Sequence, residues 1–356
     1  MDRTEANSGT REVSDQLRFD VAALEAWMGK HDEGLAGPLV VSQFKGGQSN
    51  PTYRLDTPSG RAFVLRRKPP GKLLPGAHAI EREARVMSKL WSTGFPVPHV
   101  TGVCDDAAVI GTPFFIMDLV EGRIVWDAAF PDLAPADRAA HFDTMNATIA
   151  QLHMVDPASI GLSDYGKPAA FVERQVARWS RQYLADTDAG RVPQMDALVD
   201  WLGKQLPPDR GDARIVHGDF RCDNMIFVAD QPTIRAVLDW ELSTIGDPLA
   251  DFVYHCLMFR MPAGMFTGLG GLDLAAIGIP SEADYVATYC RRTARDHLPD
   301  FDYLMVFVMF RLAAIIHGIK GRVARGNASS AHAEAMAAQL EPLADLALAQ
   351  ARNARL

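Results

Sequence analysis

Apolar positions along the chain change their period near residue 120. Before that point residues 39–44, 52–55, 61–67, 97–103 and 114–120 form short runs rich in β-branched and aromatic side chains, bounded by turn formers. Such runs read as strands. Two stretches break the pattern. Residues 20–30 open on a capping Asp20 and place Val21, Leu24 and Trp27 on one helical face, and residues 77–93 carry Ile80, Ala84, Met87 and Leu90 at helical spacing. After residue 121 helical stripes take over, at 135–154, 171–184, 195–205, 247–258, 280–295, 302–323 and 330–351. Two short apolar runs interrupt them, 225–228 and 234–238. Residues 1–19 are polar and read as a loose tail. The expected architecture is α+β: a small antiparallel sheet with a helix over residues 20–120, then a larger, mostly helical region over 121–356.

Composition narrows the classes. Hydrophobic residues make up 48% of the 356 positions, enough for a sizeable core. A net charge of −8 argues against a nucleic-acid surface. The four cysteines, at 104, 222, 256 and 290, form no C-x-x-C pair, which disfavours zinc and dithiol chemistry and fits a reducing cytoplasm. Residues 1–15 lack the apolar stretch of a signal peptide. Residues 303–316 are too few to span a bilayer and carry Arg311, so they read as a buried helix and no membrane partner is expected. Oligomeric state is not legible.

The chemistry concentrates in residues 215–252, IVHGDFRCDNMIFVADQPTIRAVLDWELSTIGDPLADF. His217-Gly218-Asp219 follows an apolar run, Asn224 comes five residues after Asp219, and the run at 234–238 ends on Asp239. Phosphoryl transfer needs these groups: a carboxylate to accept the proton of an attacking hydroxyl, and an amide oxygen with a second carboxylate to hold Mg²⁺. The Asp219–Asn224 spacing matches the H-R-D-x-x-x-x-N loop of protein kinases, with Gly218 in place of Arg. No G-x-x-x-x-G-K-[ST] and no G-x-S-x-G is present, which excludes a P-loop NTPase and disfavours a serine hydrolase. Upstream, Lys45-Gly46-Gly47-Gln48-Ser49-Asn50 joins two strands. Such a turn, with Gly46, Gly47, Ser49 and Asn50, covers a nucleotide's phosphates in one reading and is an ordinary hairpin loop in the other. Asp247, before Pro248, reads as a helix cap; Asp251, four residues on, reads as loop support or structure.

His217-Gly218-Asp219, the following L-D-W-E and G-D-P-L-A-D-F together resemble the aminoglycoside phosphotransferase family, the choline-kinase-like phosphotransferases, and within it the kinase-like domains that accompany acyl-CoA dehydrogenases. The resemblance implies a protein-kinase-like two-lobed fold, with ATP between the lobes, Mg²⁺, and a small molecule bearing a hydroxyl as acceptor. It implies a basic residue at the end of the 61–67 strand on the α- and β-phosphates. Arg66 falls there, where the family has Lys, with Arg67 and Lys68 as alternative registers. It implies an acidic partner on the following helix, for which Glu83 fits better than Glu81. It implies a hinge in which the Asp118 carbonyl and Val120 N–H meet adenine, with Met117 behind the ring. His217 then orders the loop, Arg221 braces it or meets an anionic group, and Glu241, Asp247 and Asp251 support the site or a cationic acceptor. Arg311 either pairs with Asp247 or Asp251 or binds substrate. A hydroxyacyl or hydroxy-acid acceptor, and a non-catalytic nucleotide-binding module, are the alternatives.

Overall fold

The computed structural model describes residues 8–31, 37–45, 50–71, 78–326 and 331–355. By contact density the chain divides into two units assembled from separate segments. One comprises residues 1–127, 158–162 and 221–243, the other residues 128–157, 163–220 and 244–356. Residues 221–243 thus cluster with the N-terminal part, although the sequence places them far inside the helical region.

The first unit is built on a six-stranded antiparallel sheet in the order β1-β2-β3-β4-β6-β5, from Thr10–Arg11, Val40–Phe44, Thr52–Asp56, Ala62–Arg67, Phe114–Asp118 and Val100–Cys104 for β1, β2, β3, β4, β6 and β5. Helix α1 (Val21–His31) buries Leu24 and Met28 against Tyr53, Leu55, Phe63 and Leu65. Helix α2 (Ile80–Trp91) is strongly two-faced and buries Ile80, Glu83, Ala84, Val86, Met87 and Leu90. A second sheet, β10-β9-β7, joins Ile234–Val237, Met225–Phe227 and Arg123–Ile124. Gly122 enters it so closely that a Cβ would lie 2.3 Å from the Phe227 carbonyl oxygen, a backbone approach only glycine permits.

Residues 8–19 are not the loose tail expected. Alternation along β4 sends Arg67 into the core side with Phe63 and Leu65. Buried to 2% exposure, its guanidinium needs acceptors. It donates to the carbonyls of Leu17 (2.9 Å) and Ile110 (3.2 Å) and to the Tyr53 hydroxyl (3.1 Å). Tyr53 in turn donates to Leu17 at 2.9 Å, and Phe19 covers the guanidinium at 5.1 Å. A buried cation thus ties the segment down.

The second unit is mostly helical: α3 (Pro135–Met154), α4 (Phe171–Ala185), α5 (Pro193–Lys204), α6 (Pro248–Arg260), α7 (Glu282–Arg292), α8 (Phe301–Ala324), α9 (Ala331–Ala337) and α10 (Leu340–Asn353), with a two-stranded ladder of β8 (Arg214–Val216) and β11 (Thr244–Gly246). The stripe expected as one helix over 330–351 is thus two helices. Helix α8 runs well past the 303–316 stretch. Its 24 residues are long and apolar enough to cross a membrane, and 67% of its most apolar window is buried within the protein. It packs with α4, α5, α6, α9 and α10 as the central helix of this unit.

Candidate active site

In the first unit the groups of interest gather around Arg66. It alternates with Arg67 along β4 and leaves the sheet on the other side, 8% exposed. Its Nη2 donates to Asp239 Oδ1 at 2.8 Å and lies 3.7 Å from Glu241 Oε2. Its Nε is 3.0 Å from Glu83 Oε2, an ion pair out of line for a hydrogen bond. The alternative registers are occupied elsewhere: Arg67 is in the core, and Lys68 pairs with Glu81 at 3.0 Å. One guanidinium therefore serves three carboxylates. Burial alone would lower the Arg66 pKa, but Glu83, Asp239 and Glu241 outweigh it and hold it above the ordinary range. Burial raises the Glu83 carboxyl, and Asp239 and Glu241 push the same way against the attraction of Arg66.

Asp239 reaches this cluster because of the turn it occupies. It follows β10 with φ +64°, in the left-handed region that Asp tolerates better than most residues. The turn is pinned by Trp240, which is 1% exposed, donates its indole N–H to Val237 at 2.9 Å and packs edge-on against Phe95. Asn224 immediately precedes β9. Met225 pairs with Val237, and the Leu238 N–H donates to the Asn224 carbonyl at 2.8 Å. Asn224 and Asp239 thus lie at the same end of one antiparallel ladder. Both offer oxygen donors, the preference of a hard divalent cation. Among the described residues no group of three or more His, Cys, Asp or Glu is placed to hold a metal.

Asn50, 1% exposed, extends the cluster. Its amide nitrogen donates to Glu241 at 3.5 Å, and its Oδ1 lies 2.9 Å from Nδ1 of His78, just before α2. Gly46, Gly47 and Ser49 fall outside the described residues. Met117, 8% exposed, and Asp118 end β6. The Asp118 amide bonds the His99 carbonyl, its carboxylate lies 3.5 Å from the His99 ring, and Leu119 returns to Ala62 before Val120.

The second unit presents Asp219. The turn that carries it is held from several sides. Gly218 adopts φ +83°. Asp251, 4% exposed on α6, accepts the backbone N–H groups of His217 (2.7 Å) and Gly218 (2.8 Å), and its Oδ2 lies 3.2 Å from Nε2 of buried His153 on α3. Burial would raise the Asp251 carboxyl, but His153 and the His217 amide outweigh it and hold it below the usual range. The Asp219 N–H donates to His217 Nδ1 at 3.1 Å. Tyr254 donates its hydroxyl to Asp219 Oδ1 at 2.5 Å. Asp247 caps α6 by accepting the Leu249 N–H at 2.8 Å. In the first unit, Arg221, two residues after Asp219, pairs with Asp223 at 2.9 Å. Burial raises the Cys222 thiol, so it stays protonated.

Arg311 does not make the expected ion pair. Asp251 is taken by the two amides and His153, and Asp247 by its own helix. The Arg311 Nη2 instead donates to the Gly218 carbonyl at 2.6 Å, and the guanidinium lies over the rings of Tyr254 (5.1 Å) and Trp179 (5.9 Å). Aromatic faces stabilise a partly buried cation without a countercharge. Tyr254 and His78 escaped the sequence reading. Each makes its contact across a long sequence separation, and neither carries a local motif.

Residues 40–285 match the model of the phosphotransferase enzyme family. The chain belongs to that family. It is 40% identical to rat acyl-CoA dehydrogenase family member 11 over 97% of its own length and 45% of the relative's, so it spans less than half of that protein. A solved Ralstonia eutropha protein, designated a candidate aminoglycoside phosphotransferase, superposes with a TM-score of 0.87 at 47% identity, covering 95% of this chain and all of the other. Amicoumacin kinase, solved in complex with AMP-PNP, Ca²⁺ and Ami, superposes with a TM-score of 0.53 at 15% identity over 86% of this chain and 88% of its own, a likeness of fold. The fold is kinase-like, and a small-molecule phosphotransferase is the activity its family implies.

Proposed function

We propose that this protein transfers the γ-phosphate of ATP to a hydroxyl on a hydroxyacyl or hydroxy-acid molecule. The observation that carries the reading is the survival of the whole residue set. Asp219 sits in a loop fixed by Asp251 and His217, and Asn224 and Asp239 lie at one end of a ladder beside Arg66. A non-catalytic nucleotide-binding module would have no use for a turn so heavily constrained.

In the reaction the acceptor oxygen forms a bond to the γ-phosphorus, the bridging bond to ADP breaks, and the hydroxyl proton passes to Asp219. Asn224 and Asp239 would hold Mg²⁺, which neutralises phosphate charge when bound; phosphate oxygens and water would complete its coordination. Arg66 grips the phosphates with a fixed charge and a two-pronged donor geometry. Glu83 keeps that guanidinium directed across the sheet. The transition state is loose, so positioning and charge neutralisation dominate.

The acceptor class follows from which charges are occupied. A polycationic aminoglycoside needs available carboxylates. Asp247 caps a helix, Asp251 holds the Asp219 turn, Glu241 lies with Arg66, and Glu282 is paired with Arg260. The relatives named for acyl-CoA dehydrogenation carry this domain within longer chains, which favours an acyl-bearing acceptor. Coupled ADP release with hydroxyacyl thioesters, free hydroxy acids, choline and an aminoglycoside tests the assignment. Turnover with the acyl-bearing compounds is expected, and turnover with the aminoglycoside alone would reverse it.

A further inference from the structure

Tyr254 takes no part in bond making or breaking, yet it touches the group assigned as the base. It lies on α6 one turn beyond Asp251, is 7% exposed, and its hydroxyl donates to Asp219 Oδ1 at 2.5 Å. The face of its ring is covered by Arg311, whose guanidinium carbon is 5.1 Å from the ring centroid. The same guanidinium donates to the carbonyl of Gly218, the residue immediately before Asp219.

We propose that Tyr254, backed by Arg311, is the positioning residue that fixes the Asp219 carboxylate for proton acceptance; the inference rests on Asp219 being the base. An Asp carboxylate turns easily about its last bond. A short O–H···O⁻ bond from a buried phenol stops that rotation and is among the stronger neutral-to-charged contacts. A cation over the ring face draws on the same π-electrons that feed the phenol oxygen, so Arg311 strengthens Tyr254 as a donor. The other polar groups of the surrounding elements are engaged differently. On α6, Asp251 holds two backbone amides, and His255 is bonded to the Phe220 carbonyl (3.0 Å) and the Tyr285 hydroxyl (2.7 Å). On α3, His153 faces Asp251 and Tyr289; within the turn, His217 receives the Asp219 N–H. Tyr254 reaches the Asp219 carboxylate from α6, and Arg311 couples it to the backbone of the turn.

Tyr254→Phe removes one oxygen and keeps the buried ring, so the fold is retained. The first readout needs no acceptor. Proton NMR of the full chain should show a strongly deshielded hydroxyl proton, absent in Tyr254→Phe and displaced in Asp219→Asn. The second uses Mg-ATP with water as acceptor, followed by ADP release. Tyr254→Phe should lower kcat by about 10- to 100-fold, the scale of a misplaced reacting group, with KM for ATP unchanged. In the Asp219→Asn background it should add nothing, because Tyr254 acts through that carboxylate. The inference is overturned if the deshielded proton persists in Tyr254→Phe, if kcat does not change, or if the two losses multiply. An Asp219→Asn variant that hydrolyses ATP at the wild-type rate would instead sink the base reading itself, so the two failures are separable.

Discussion

At the scale of single residues, the cluster around Arg66 is where charge balance is tightest. A buried Arg facing three carboxylates is stabilised by attraction and penalised by desolvation, and removing it leaves Glu83 without a countercharge at 2% exposure. Arg66→Met is therefore expected to destabilise the protein by about 3–5 kcal/mol, read from urea unfolding. Glu83→Gln, which removes the buried negative charge and keeps hydrogen-bonding capacity, is expected to cost less. A larger loss in Glu83→Gln than in Arg66→Met would reverse that ranking. The sequence made Glu83 legible as the partner because it fixes helical phase, and Glu81 two positions away projects elsewhere. It left Arg66, Arg67 and Lys68 open because period-two alternation assigns faces without saying which face is the core. The buried acceptors around Arg67 settle the geometry. It offered Asp247 or Asp251 as the partner of Arg311, since a local pattern does not show that aromatic faces stand in for a carboxylate.

Among elements, α6 organises the Asp219 turn. It supplies the Asp247 cap, the Asp251 carboxylate under two amides, Tyr254, and His255 beneath the Phe220 carbonyl. Asp251→Ala leaves those amides unbonded in a buried site, and a loss of about 3 kcal/mol is expected, together with loss of turnover; retention of wild-type stability would show that the turn holds itself. His255 makes this region acid-sensitive. Burial pushes its pKa down to about 4 from 6.5, so the folded state binds its proton later than the unfolded chain. Its contribution is complete above about pH 6.5 and is lost as pH falls from there through about 4, by about 3 kcal/mol in all. Asp251, held below the usual carboxylate range, adds a loss of the same sign, but only as pH falls below about 4, the ordinary Asp value. Thermal melting between pH 7 and pH 4 should show a steeper fall for the wild type than for His255→Asn; parallel curves would remove His255 as the cause. The helical stripes and Pro-initiated helices here were readable from apolar spacing. Helix α8, expected over 302–323, runs Phe301–Ala324, and Arg311, His317 and Lys320 interrupt its apolar stripe without breaking the backbone.

At the scale of the whole molecule, strand and helix periods revealed a sheet-bearing N-terminal part and a helical remainder. They did not reveal that residues 221–243 cluster with the former. That exchange depends on the pairing of β7 with β9 and on the bond from Val237 to the Pro96 carbonyl. Both join segments more than 100 residues apart, a separation no local pattern encodes. The same holds for the N-terminal segment, whose place is set by Arg67 and not by its own polar sequence. The motif-bearing loop was readable because its spacing is short and continuous; Asn224 and Asp239 lie at one end of one ladder in the first unit, and Asp219 lies in the second.

Transfer to an acceptor is the central claim, and ³¹P NMR of the full chain with Mg-ATP and a hydroxyacyl-CoA thioester tests it most directly, run alongside Asp219→Asn. The expected result is a phosphate-ester resonance that grows as ATP falls, and that slows by about 10²- to 10⁴-fold in the variant while ATP still binds. Mg-ATP binding with no phosphate ester formed on any hydroxyl compound, or an Asp219→Asn variant as fast as the wild type, would contradict it.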